Sequence, residues 1–186
     1  MRPRAAVAAL AVLAAVIAGP AAAGPLGLSV GAYGGVNLAP IDDPEAGALL
    51  GAKVRLTPPL GFLAFEASYT RVSHEDAEDV WSHGDVDVVL NGDGFDLYAV
   101  DVLLGSPGGP GPLRWFLVAG VNVKELSDLE GGEDLRPGAD VGTGLEIAMP
   151  PTGLSLEARG ALVWLDWSEP EDLEFLSLTA GLNYSF

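Results

Sequence analysis

Apolar and polar residues alternate with a period of two along most of this chain. Leu26, Leu28, Val30, Ala32, Gly34, Val36 and Leu38 share one parity, while Gly27, Ser29, Gly31, Tyr33, Gly35 and Asn37 share the other. Alternation over a dozen residues predicts a strand with one apolar face and one polar or small face. The pattern recurs at Ala48 to Leu56, Leu63 to Thr70, Tyr98 to Leu104, Leu113 to Lys124, Asp140 to Met149, Leu154 to Trp164 and Leu176 to Phe186. The chain therefore reads as all-β with eight strands.

A soluble sandwich also alternates, so the connections decide the architecture. Thr57 to Gly61, Gly105 to Pro112 and Pro150 to Gly153 contain no charged residue. The intervening connections behave differently. Asp42 to Glu45, Glu75 to Asp96, Glu125 to Asp134 and Asp166 to Glu174 hold three, eight, five and five of the 26 acidic residues. Every second connection is short and neutral and the others are acidic, the two-ended character of a barrel with short periplasmic turns and longer outer loops. An even strand number returns both ends of the barrel to the periplasmic side. The expected fold is an eight-stranded antiparallel up-and-down transmembrane β-barrel.

Composition sharpens this picture. The 186 residues are 49% hydrophobic, with a mean hydropathy of +0.32 and an isoelectric point near 4.1. That hydrophobicity excludes intrinsic disorder, and the acidity argues against nucleic acid as a partner. The absence of Cys excludes disulfides, thiolate metal sites and a Cys nucleophile. Residues 1–23 carry Arg2 and Arg4, an apolar run from Ala5 to Ala18, and Ala21 and Ala23 before Gly24. This order is that of a cleavable secretory signal peptide, leaving residues 24–186 as the barrel domain. Cleavage there leaves 7 basic and 26 acidic side chains, a net charge of −19.

Charges within the strands pin the register. Lys53, Arg55, Glu66, Asp101, Arg114, Lys124, Asp140, Glu146, Glu157 and Arg159 all fall opposite the apolar parity. A basic side chain facing lipid at the bilayer midplane costs about 2–4 kcal/mol, so these residues are expected inside the lumen. Eight strands enclose a space only wide enough for side chains or one small ligand, so the charges should pair and plug it. Trp115, Tyr184 and Phe186 fall near periplasmic strand ends, and Tyr69, Tyr98, Trp164, Trp167 and Phe175 near outer ones, as interfacial girdles would require.

The chain resembles the small eight-stranded outer-membrane barrels, the architecture of the outer membrane protein A transmembrane domain. The resemblance spans residues 24–186 and rests most specifically on the C-terminal LSLTAGLNYSF. Phe186, Tyr184, Leu182, Ala180 and Leu178 are similar to the signal that the barrel-assembly machinery reads in that family. It implies an outer-membrane location, outer-membrane lipid as surroundings, the assembly machinery as a partner during biogenesis, and a monomer. No cofactor is implied.

The longest loop holds both histidines in a near-repeat, Ser73-His74-Glu75-Asp76 and Ser82-His83-Gly84-Asp85. A base, an orienting acid and a nucleophile are all present. Adjacent Ser and His on extended chain point in opposite directions, however, so a lipid- or peptide-modifying site is the lesser reading. His74, Asp76, His83, Asp85, Asp87 and Asp93 could together hold a hard divalent cation such as calcium or magnesium, which takes oxygen ligands. Asn91-Gly92 reads as a hairpin turn standing the loop up. The function expected is structural or surface interaction, with a narrow channel for small solutes or cations as the alternative and no enzymatic activity.

Overall fold

The computed structural model describes residues 26–38, 46–73, 79–83, 86–91, 94–107, 111–127, 133–164 and 175–186. Ten strands form: β1 (Gly27–Leu38), β2 (Ala46–Thr57), β3 (Leu63–Ser73), β4 (Asp79–His83), β5 (Val86–Asn91), β6 (Gly94–Gly105), β7 (Leu113–Ser127), β8 (Glu133–Met149), β9 (Leu154–Trp164) and β10 (Phe175–Ser185). Eight of them pair antiparallel with their neighbours in chain order, and β10 closes on β1. The eight alternating segments of the sequence are these eight. Residues 1–23 lie outside the described residues.

The pairings define the barrel's stagger. Following cross-strand partners from Leu28 through Leu56, Phe65, Val102, Ala119, Val141, Leu162 and Leu176 returns to β1 at Leu38, ten residues along. A stagger of this kind tilts the strands roughly 35–45° to the axis. The short turns reverse on glycine: Gly61 and Gly153 have φ of 71° and 74°, which other residues adopt with strain. Pro58, Pro59, Pro150 and Pro151 beside them donate no backbone hydrogen bond, which ends the ladder there. Both ends of the barrel meet at this rim, where the Phe186 amide donates to the Leu28 carbonyl at 3.0 Å.

Strands run further at the opposite rim than the apolar alternation indicates. Asp96 and Glu125 belong to β6 and β7 and face each other in register, with Arg71 opposite Asp96 on the other side. The outward positions turn polar there, but backbone pairing continues.

The connection between β3 and β6 carries its own hairpin. β4 pairs with β5, and β5 touches the barrel through two parallel partners, Ala46 with Val88 and Gly47 with Val89. The segment from Val86 is thus a strand. The reversal falls between His83 and Val86, which face each other, and not at Asn91-Gly92. Asn91 instead sits opposite Asp79 at the hairpin base, where the chain leaves for β6. The cross-strand partners decided this, because a turn signal alone does not say which two strands it joins.

Candidate functional site

Alternation sends one parity of each strand outward and the other into the lumen. The outward set is exposed and apolar: Val30, Leu50, Phe65, Val100, Leu104, Leu117, Val121, Val141, Leu145, Ile147, Leu156, Leu178 and Leu182 are among its members. Phe62, Trp115, Tyr184 and Phe186 gather near the short-turn rim. Tyr184 and Phe186 meet edge to face, with ring centroids 5.1 Å apart. At the other rim Tyr69 and Tyr98 stand side by side at 5.4 Å, and the Tyr69 hydroxyl donates to Asp96 at 2.9 Å. Arg71 and Asp96 form an exposed ion pair there, one outward step beyond the tyrosines.

Phe175 departs from the expected girdle. It faces inward at 5% exposure, packed with Leu49, Val72, Phe95, Leu97 and Val163. These six form an apolar tier across the lumen near the long-loop rim. A second apolar group, Ala64, Leu103, Phe116 and Val118, lines β3, β6 and β7 towards the short-turn end. Periodicity missed both because it assigns a face to each residue without saying what that face meets. The signal was Leu49, Val72, Phe116 and Val118 standing on the otherwise polar parity.

Between these groups lies a buried ion-pair network. Arg55 reaches Glu66 at 2.7 Å, Glu146 at 2.6 Å and Glu157 at 2.5 Å. Arg159 reaches Glu66 at 2.5 Å, Asp101 at 3.2 Å and Glu157 at 3.5 Å. Lys53 pairs with Glu157 and lies 3.6 Å from Glu66. Arg114 extends the chain of contacts to the short-turn mouth through Glu146 at 3.0 Å. Asn183 donates to Glu157 at 3.1 Å. The Phe116 ring lies under two guanidinium groups, 5.2 Å from Arg55 and 5.8 Å from Arg159. Phe116 has room because Gly144 is its cross-strand partner: a Cβ there would come within 2.5 Å of the ring.

Of the ten charged residues expected in the lumen, these contacts join Lys53, Arg55, Glu66, Asp101, Arg114, Glu146, Glu157 and Arg159. Asp140 is buried but outside the network, and the Lys124 ammonium lies 4.3 Å from the Phe95 ring, in the apolar tier. Phe186, Tyr184, Leu182, Ala180 and Leu178 all face outward along β10. The loop residues His74, Asp76, Asp85 and Asp93 lie outside the described residues. The backbones of His83 and Asp87 are placed on β4 and β5. Among the described residues, no three His, Asp or Glu side chains gather as a metal site.

A closed, eight-stranded antiparallel barrel with an apolar exterior and a filled lumen is the fold of the small outer-membrane barrels. Solved structures of that kind match along nearly their whole length. The N-terminal β-barrel domain of Pseudomonas aeruginosa OprF superposes with a TM-score of 0.59 at 14% identity, covering 86% of this chain and 97% of that one. Neisserial surface protein A, NspA, gives 0.56 at 18% identity, covering 87% and 97%. A major outer membrane protein from Thermus thermophilus gives 0.52 at 17% identity, covering 88% and 100%. No protein-family model matches the chain, and no curated protein matches its sequence.

Proposed function

We propose that this protein is an integral outer-membrane barrel with a structural or surface-interaction role and a lumen plugged by ion pairs, not an enzyme. The observation that carries the reading is the exterior of the barrel. The outward row Leu113, Trp115, Leu117, Ala119, Val121 and Val123 runs without a charge over eleven positions of β7, until Glu125. At about 3.3 Å per residue and a tilt near 40°, such a row covers a height of about 25 Å, the thickness of the apolar band of membrane barrels. Tyr69 and Tyr98, with Arg71, Asp96 and Glu125 one step beyond, mark where that band meets water. In water the same surface would be an apolar belt far larger than soluble proteins tolerate.

The barrel's likeness in shape to a Neisserial surface protein and a Thermus outer membrane protein supports an outer-membrane location. The four acidic connections, which hold most of the 26 acids, would then face outward and repel polyanions. Fractionation tests the reading. The protein should stay with the outer-membrane pellet through alkaline and urea washes and leave it only in detergent. It should also migrate differently on gels before and after boiling. A protein that remains in solution without detergent would sink the proposal.

A further inference from the structure

Three polar side chains on neighbouring strands face one small space in the lumen. Asp101 on β6, Gly120 on β7 and Asp140 on β8 are consecutive cross-strand partners, and Asn122 is the next inward position of β7. Gly120 has no side chain, so the Asp101 carboxylate leans into the room that a Cβ would take there. Asp101, Asn122 and Asp140 are only 2%, 1% and 9% exposed. All three line a cavity of about 60 Å³, bordered by Lys53 and Arg159 from the ion-pair layer and by Leu97 and Phe175 from the apolar tier.

The polar atoms on this wall are poorly satisfied. Asp101 Oδ2 accepts from Arg159 at 3.2 Å, but Asp101 Oδ1, Asp140 Oδ1 and both amide atoms of Asn122 find no hydrogen-bond partner among the protein's atoms. Arg159 Nε makes no hydrogen bond either. Buried donors and acceptors are rarely left so, and several around one cavity call for a partner that the chain itself does not supply.

Charge, polarity and size identify that partner. The charged residues lining the cavity are Asp101 and Asp140 against Lys53 and Arg159, two of each sign, so the occupant needs no charge of its own. The unpaired atoms include acceptors, the carboxylate oxygens and Asn122 Oδ1, and donors, Asn122 Nδ2 and Arg159 Nε. The occupant must therefore both donate and accept. A water-sized particle takes about 10–15 Å³ of such a space, so this one holds about four to six. Cavities that stay dry are lined by apolar groups, and this one is not.

We infer that the cavity binds a cluster of about four water molecules as a lasting part of the fold. They accept from Asn122 Nδ2 and Arg159 Nε and donate to Asp101 Oδ1, Asp140 Oδ1 and Asn122 Oδ1. Asp140, which stands outside the ion-pair network, is thereby joined to it through water. The ion-pair layer lies on one side of the cluster and the apolar tier on the other, so exchange with bulk water requires one of these layers to open.

The test uses the folded barrel in detergent. Oxygen-17 relaxation dispersion of water registers only molecules held longer than the barrel takes to tumble, and it should show about three or more. Xenon under pressure, which enters dry apolar cavities, should not bind here. Ala99 lines the cavity between its cross-strand partners Ser68 and Asn122. Ala99→Leu would displace the waters and strand the polar atoms, so the thermal midpoint should fall by about 3–8 °C and the dispersion amplitude should shrink with it. A dry cavity predicts the opposite sign, because filling it improves packing. Xenon uptake, a parent without long-lived waters, a raised midpoint or an amplitude unchanged in Ala99→Leu would each overturn the inference. Should Ala99→Leu fail to fold, relaxation dispersion and xenon binding of the parent decide.

Discussion

Glu66 sits at the hub of the lumen, within reach of Arg55, Arg159 and Lys53 and almost wholly buried. Its pairs gain little over an apolar filling, because desolvating the ions offsets most of their attraction, but removing one member strands the others. Glu66→Ala should therefore lower the unfolding free energy by about 3–5 kcal/mol, read as a fall in the urea midpoint of the folded barrel. Arg71→Ala offers the contrast. Its pair with Asp96 is half exposed at the rim, where such pairs contribute less than about 1 kcal/mol. If both substitutions shifted the midpoint equally, the lumen network would not be what distinguishes this barrel's stability.

Strands supply the next level, and they divide into wall and attachment. Each wall strand pairs along ten or so residues on both sides, so losing one opens the barrel. Among the described residues, the β4–β5 hairpin pairs with the wall through two positions, where Ala46 and Gly47 meet Val88 and Val89. Removing residues 75–92 and joining β3 to β6 with a short turn should leave a barrel that still shifts on boiling, with its unfolding free energy changed by less than about 1 kcal/mol. Loss of the boiling shift would show that the hairpin takes part in closing the wall. The outer strand ends escaped the alternation for a related reason. Beyond Tyr69 and Tyr98 the outward face turns polar while Val72 and Phe95 still face the apolar tier, so Asp96 and Glu125 look like loop residues although they lie in the ladder.

For the whole molecule, the lumen is stacked in tiers: a mouth at the short-turn rim holding Arg114, the ion-pair layer, the small cavity and the apolar tier around Phe95 and Phe175. A solute would have to break several buried ion pairs and then cross the apolar tier, where the Lys124 ammonium lies over the Phe95 ring. Planar bilayers containing the protein should show no single-channel conductance. Steady channel openings in the parent would revive the solute-path reading, and their response to Glu66→Ala would locate the path.

Inside and outside were legible in the sequence because a strand's side chains alternate by local backbone geometry alone. Parity placed Lys53 and Glu157 inward, and the spacing of neutral and acidic connections told one rim from the other. What parity cannot report is distance across the barrel. Lys53 and Glu157 lie 104 residues apart and meet only because closure and a ten-residue stagger bring β2 and β9 to the same level. Parity on β10, where Phe175 alternates with the outward Leu178, put Phe175 in the apolar tier instead of the expected girdle, and the pairing of β6, β7 and β8 set Asp101 and Asp140 on either side of Gly120. Which residues face inward is a property of each strand; which of them touch belongs to the register of eight strands together.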